Sequence, residues 1–220
     1  MVAKHEICSM QILLIAATEH EIQPINAQNP SIDLLITGIG VPATIYHLQK
    51  RLQQMEYDLV IQAGIAGSFD TGILLGKTIL VKQDCFADLG IEEKENYNPV
   101  FRTALADANE FPFEQGWLIN PDENLKYASL PKLKAITVNK VSDSLLQRQQ
   151  FISSFNADVE SMEGAALHYV CLQEKIPFMQ IRSVSNYVGE RDKTKWKMKE
   201  AIENLNKELA LLINGLTDQR

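Results

Sequence analysis

The sequence predicts an α/β domain, a mixed sheet flanked by helices, on three observations. The chain has 220 residues, 45% of them hydrophobic and 22% charged, enough to bury the core of one substantial α/β unit. Apolar runs recur along it, each bounded by glycine or polar residues. Amphipathic segments lie between them, the alternation that builds a sheet covered by helices.

The runs fall at residues 11–17, 32–36, 58–63, 78–82, 133–138 and 177–184. In each, apolar side chains take both alternating positions, the pattern of strands covered on both faces. Residues 44–55 carry Ile45, Leu48, Leu52 and Met55 on one stripe with polar residues between, the spacing of an amphipathic helix. Residues 163–175 and 195–212 read the same way. Residues 92–124, with their Pro, Asn and acidic side chains, read as an irregular segment, a mobile or substrate-specific insert. No repeat, low-complexity stretch or linker interrupts the chain, so residues 10–220 are expected to form one domain. Residues 1–9 read as an N-terminal extension, with Met10 a candidate start.

The formal charge of -7 and a pI near 5.2 argue against a nucleic-acid partner, whose phosphates require clustered Lys and Arg. Cys8, Cys85 and Cys171 are odd in number and far apart, suggesting buried thiols rather than a disulfide framework or a zinc site. The longest apolar stretch, residues 10–17, is too short to span a bilayer, and no Ala-x-Ala cleavage site follows it. A cytoplasmic protein with a small partner is expected.

Three local patterns fall just beyond strand ends, where open α/β sheets bind ligands. Ala16-Ala17-Thr18-Glu19-His20-Glu21-Ile22 is a strand running into an acidic turn. Thr37-Gly38-Ile39-Gly40 and Ala63-Gly64-Ile65-Ala66-Gly67 are strands running into glycines, which let a ligand approach the backbone. Neither is the GxGxxG fingerprint of a dinucleotide oxidoreductase. Val159-Glu160-Ser161-Met162-Glu163-Gly164-Ala165-Ala166 opens a helix, and Arg182-Ser183-Val184-Ser185-Asn186-Tyr187 ends the strand after it. Each has a plainer explanation. Glycine turns mostly just connect strands to helices, Glu163 suits a helix dipole, and Met162 is core by base rate. Glu21 reads as a solvated turn residue, Trp196 as an anchor for the last helix, and Arg182 and Arg191 as surface charges. His20, His47 and His168 stand at no ligand spacing and are given no metal role.

Taken in order, these patterns resemble the nucleoside phosphorylase/nucleosidase superfamily, which carries a Met-Glu pair opening a helix and a Ser-Asp or Ser-Asn pair ending the next strand. The resemblance runs from Met10 to the C-terminal helix and is weakest between Glu92 and Lys132. It implies a three-layer α/β/α sandwich with a central mixed, partly barrel-like sheet, assembled as a homo-oligomer. Phosphorylases of this superfamily present an Arg in the turn after the first strand and a Ser in the third-strand glycine turn. Glu21 and Ile65 stand there instead, which implies water rather than phosphate as the nucleophile. Glu21 matches the carboxylate that methylthioadenosine/S-adenosylhomocysteine nucleosidases use as base.

Those nucleosidases carry an Asp acting on purine N7 where this chain has Asn186. An amide cannot act as an acid. It donates from its NH2 to a purine O6 while its carbonyl accepts from a protonated N7, the arrangement a 6-oxopurine requires. The stretch Ser185-Asn186-Tyr187-Val188, continuing to Arg191 and Trp196, is similar to futalosine hydrolases, which release hypoxanthine from futalosine in menaquinone biosynthesis.

The resemblance assigns Glu21 to water, Glu163 to the ribose hydroxyls and Asn186 to the leaving base as catalytic candidates. The substrate-binding candidates are Ile65, Ala66 and Gly67 in the third-strand turn, Val141 and Ser142 near the purine, and Met162 against ribose. Trp196 is expected to stack on the base, Arg182 to orient water or Glu163, and Arg191 to take the remote aryl carboxylate of futalosine. No metal or organic cofactor is implied. Two competing readings are an adenine-releasing nucleosidase and a silent nucleoside-binding module; having both Glu21 and Glu163 argues against the second.

Overall fold

The computed structural model describes residues 10–22, 32–141 and 143–217. The strands are β1 (Ile12–Ala16), β2 (Ile32–Ile36), β3 (Leu59–Ser68), β4 (Thr78–Asp84), β5 (Gly90–Glu93), β6 (Asn96–Pro99), β7 (Leu118–Ile119), β8 (Lys132–Thr137), β9 (Val159–Ser161) and β10 (Phe178–Tyr187). The helices are α1 (Glu19–Ile22), α2 (Val41–Leu52), α3 (Leu145–Phe155), α4 (Gly164–Glu174) and α5 (Met198–Thr217).

β1 shows why continuous apolar runs become central strands. All its residues are buried, with Leu13 and Ile15 directed to one face of the sheet and Ile12 and Leu14 to the other. On the first face, Leu48 of α2 and Leu167, Val170 and Cys171 of α4 pack against Leu13, Ile15, Val60 and Phe178. On the second, Leu205, Leu209, Leu212 and Ile213 of α5 pack against Ile12, Leu14, Ile61 and Ile181. At about 1.5–3 kcal/mol for each fully buried aliphatic side chain, these two layers supply the main cohesive force.

The sheet is mixed, and part of it closes. β3 pairs parallel with β10, β10 antiparallel with β4, β4 parallel with β8, β8 parallel with β9, and β9 antiparallel with β3. That ring is the barrel-like part expected of the sheet. β1 and β2 continue from β3 as a parallel wing. Because β1, β3 and β10 run parallel, their C-terminal ends share one edge, and the site forms there.

The structure also corrects some expectations. α2 begins at Val41, before the predicted residue 44, because Gly40 takes the N-cap position and Pro42 is tolerated in the first turn. α5 begins at Met198 rather than residue 195, since a 3₁₀ turn over Lys193–Lys195, capped by Asp192, precedes it. α3 and β9 were not expected at all. Residues 92–124 are not uniformly irregular: β5 and β6 form a hairpin that enters the segment, and β7 pairs with β4. Fully buried Asn120 ties the segment to the core by donating its Nδ2 to the Phe178 carbonyl at 2.9 Å. Cys85 and Cys171 are buried thiols, whereas Cys8 lies outside the described residues. Among the described residues no helix is long and apolar enough to cross a membrane.

Candidate active site

The ends of β1, β3 and β10, together with β9, open onto a cavity of about 460 Å³, within the size range of small-molecule sites. Three carboxylates face it, Glu21, Glu160 and Glu163, and the first and last are fixed by backbone donors.

Glu21 lies on α1, a single turn at the end of β1, and is only 8% exposed. Its Oε2 accepts from the backbone N–H of Thr18 at 3.0 Å and from the Thr18 hydroxyl at 3.1 Å. Its Oε1 accepts from the Ile65 N–H at 3.2 Å, in the glycine turn of β3. From α5, packed on the same face of the sheet, Asn206 donates Nδ2 to the Glu21 carbonyl at 2.8 Å. The N–H groups of this corner, an arrangement suited to an anion, are thus occupied by the protein's own carboxylate.

Glu163 stands at the N-cap position of α4, yet its side chain does not cap that helix. The first N–H groups of α4 are satisfied elsewhere, Gly164 by the Ser161 hydroxyl at 3.2 Å and Ala165 by the Thr137 hydroxyl at 2.8 Å. The Glu163 carboxylate is therefore available to accept from Gly40 N–H at 3.0 Å, at the N-terminus of α2, where the helix dipole favours negative charge. Arg182 Nη1 lies 3.7 Å from its other oxygen. Burial raises the Glu163 pKa and nearby Glu21 adds to the rise, while Arg182 and the Gly40 N–H oppose it.

Arg182 is 1% exposed and lies behind the cavity wall rather than on it. Its Nη2 donates to Gln62 Oε1 at 2.8 Å, and Gln62 Nε2 donates to the Glu163 carbonyl at 3.5 Å. Gly64 makes this packing possible, because a Cβ there would lie 2.1 Å from Arg182 Nη1 and 3.0 Å from Glu21 Oε1. Arg182 thus touches Glu163 directly and does not line the space a substrate would fill.

At the other end of the cavity is Asn186. The pairing of β10 with β3 shifts register between Val184 and Asn186, a bulge of the kind that re-aims a side chain. Asn186 Oδ1 accepts from the Ser185 hydroxyl at 2.8 Å and Nδ2 donates to the Tyr187 carbonyl at 3.2 Å. Each end of the amide keeps one further hydrogen-bonding position. Trp196 lines the same end, its Nε1 donating to the Glu190 carbonyl at 2.9 Å, and exposed Arg191 lies 6.0 Å from the Trp196 ring.

Of the residues expected from sequence, Glu21, Ile65, Ala66, Gly67, Val141, Met162, Glu163, Asn186, Arg191 and Trp196 line this cavity. Ser142 lies outside the described residues. Sequence reading missed Glu160, Thr18, Gly40 and Gln62, along with the apolar contributors Ile39, Met198 and Ile202. Thr18, Gly40 and Glu160 stand within the strand-end patterns, but nothing local reveals which way they face. Among the described residues no cluster of three or more His, Cys, Asp or Glu is placed to hold a metal.

The closed α/β sandwich with its site at the strand ends is the framework of the phosphorylase superfamily. The chain belongs to that family, which its residues 19–216 match. Among curated relatives, a futalosine hydrolase of Thermus thermophilus is 30% identical over 184 residues, covering 81% of this chain and 80% of that one. Among solved structures, a 5′-methylthioadenosine/S-adenosylhomocysteine nucleosidase of Helicobacter pylori superposes with a TM-score of 0.78 at 16% identity, over 94% of this chain and 98% of the other. The futalosine hydrolase of Helicobacter pylori gives 0.73 at 17% identity, over 96% and 99%. At such identities the structural likeness concerns the fold.

Proposed function

We propose that the chain is an N-glycosidase that hydrolyses futalosine, releasing hypoxanthine, as a cytoplasmic homo-oligomer serving menaquinone biosynthesis. The observation that carries the hydrolytic reading is the Glu21 corner. Its N–H groups are already taken by an internal carboxylate, so the corner favours water over an anionic nucleophile. In this reading water attacks the anomeric carbon, Glu21 accepts its proton, and the electron pair of the broken C–N bond leaves with the purine. Glu163 accepts hydrogen bonds from the ribose hydroxyls and places negative charge beside the sugar cation, an electrostatic contribution of the kind that dominates many active sites. The purine takes up a proton from solvent at N7 as it leaves, balancing the one that Glu21 takes from water, and Asn186 holds the departing base through O6 and N7–H.

Support for futalosine over other nucleosides comes from Asn186 and from Arg191 near the cavity mouth, whose guanidinium suits a remote carboxylate. The 30% identical relative that bears the futalosine hydrolase name points the same way. The test is to incubate the protein separately with futalosine, inosine and methylthioadenosine and to identify the released base by chromatography. Hypoxanthine from futalosine is expected as the fastest reaction. Faster release of adenine from methylthioadenosine would overturn the assignment in favour of the adenine-directed nucleosidase.

A further inference from the structure

One carboxylate of the cavity has no part in the chemistry above. Glu160 is 7% exposed, lines the cavity, and accepts no hydrogen bond and makes no ion pair among the described residues. A buried carboxylate without donors is costly unless a ligand supplies one.

Its position follows from strand register. On β9, Glu160 pairs directly with Gly67 of β3, and a Cβ on Gly67 would lie 3.3 Å from Asn186 Nδ2. Gly67 in turn pairs with Asn186, so Glu160 stands one strand beyond β3 from the amide assigned to the purine. On its other side it pairs with Ile136 of β8, and its carboxylate shares the cavity lining with Asn186 and Arg191. The charges that act on it are Asp88 and Arg191. Burial, with Asp88 adding to it and Arg191 opposing, pushes its pKa up to about 7.

Next to O6 on a 6-oxopurine is N1–H, a donor; the same position of a 6-aminopurine is an acceptor. We infer that Glu160 is a specificity residue that accepts the N1–H of the bound 6-oxopurine, so that Asn186 and Glu160 together read three adjacent positions of one ring edge. This rests on the proposed function. It extends that reading by giving the discrimination a second residue, one whose ionised form repels adenine N1 as well as attracting hypoxanthine N1–H.

The test is calorimetric binding, at about pH 8.5 so that Glu160 is ionised, of hypoxanthine, 1-methylhypoxanthine and adenine to the full-length protein and to Glu160→Ala and Glu160→Gln. Wild type should bind hypoxanthine at least about tenfold more tightly than 1-methylhypoxanthine, the scale of one hydrogen bond to a charged group. Glu160→Ala should bring the two affinities within about threefold of each other. Glu160→Gln preserves shape and, by turning its NH2 toward N1, should raise adenine affinity relative to hypoxanthine by about tenfold, so it decides the matter if the alanine variant fails to fold. Unchanged ratios in a variant of an enzyme that still releases hypoxanthine from futalosine would overturn the role of Glu160 alone. No binding of hypoxanthine by wild type, with no release from futalosine, would overturn this inference and the proposed function together.

Discussion

At the scale of single residues, catalysis depends on which group takes a proton and which only holds a shape. Glu21→Gln keeps the acceptor for Ile65 N–H and the volume of the side chain but removes the base. Turnover should fall by about 10²–10⁴-fold, the usual worth of a positioned base, while hypoxanthine affinity measured by calorimetry stays within about threefold. Wild-type turnover in that variant would remove Glu21 from the mechanism. Asn186→Asp sets a carboxylate against O6, and an opposed buried pair costs about 1–3 kcal/mol. The ratio of kcat/KM for paired 6-oxo and 6-amino nucleosides should therefore drop by about one to two powers of ten. A ratio that does not move would show that the amide does not read position 6.

At the scale of elements, one glycine governs how closely α4 approaches the sheet beneath the site. A Cβ on Gly164, the first residue of α4, would lie 2.0 Å from Gln180 Nε2 and 2.2 Å from Asp84 Oδ2. Both neighbours are buried, so they cannot yield into solvent. Gly164→Ala should cost about 1–3 kcal/mol, the range for overpacking, seen as a fall in Tm of several degrees by calorimetry. Because α4 carries Glu163 at its N-cap, kcat should fall as well. A Tm within one degree of wild type would show that the helix shifts freely there.

The elements also show what a sequence conceals. β1 was legible because a strand covered on both faces is apolar throughout, β3 and β10 because each opens on such an apolar run before its polar site residues, and α5 because its stripe repeats over five turns. β9 has only three residues, two of them polar, and its strand character comes from pairing with β8 and β3 rather than from composition. α3 buries only Phe151 and so has no apolar stripe; its start was marked by the Ser144 hydroxyl, which accepts from Gln147 N–H at 3.2 Å. The catalytic candidates were found because they lie one or two residues past legible strands. Glu160 and Gln62 were not, because their roles depend on register across the ring.

At the scale of the whole molecule, α4 covers a polar cluster against β4 and β10. Asp84 and His168, both fully buried, flank Gln180, and burial moves them in opposite senses, Asp84 up to about 7 and His168 down to about 4. His168 is neutral in the fold, so its contribution is complete above its unfolded pKa of about 6.5 and is lost as pH falls toward 4. Asp84 acts in reverse: its contribution is complete below about 3.8 and is lost as pH rises toward 7. Between pH 4 and 6.5 the two slopes oppose each other. Asp84→Asn removes one of them, so the stability of the variant relative to wild type should fall with acidification, by up to about 1.4 kcal/mol per pH unit. Denaturant melts at pH 6.5 and 4.5 measure it, and parallel curves for the two proteins would show that Asp84 does not titrate in this window.

The central claim is that water, not phosphate, accepts the ribosyl group, because Glu21 occupies the corner an anion would use. The most direct measurement is a phosphate titration of futalosine cleavage with mass-spectrometric identification of the sugar product. The predicted result is a rate independent of phosphate and a product with a free anomeric hydroxyl. A rate that saturates with phosphate, with a ribosyl 1-phosphate as the main product, would contradict it.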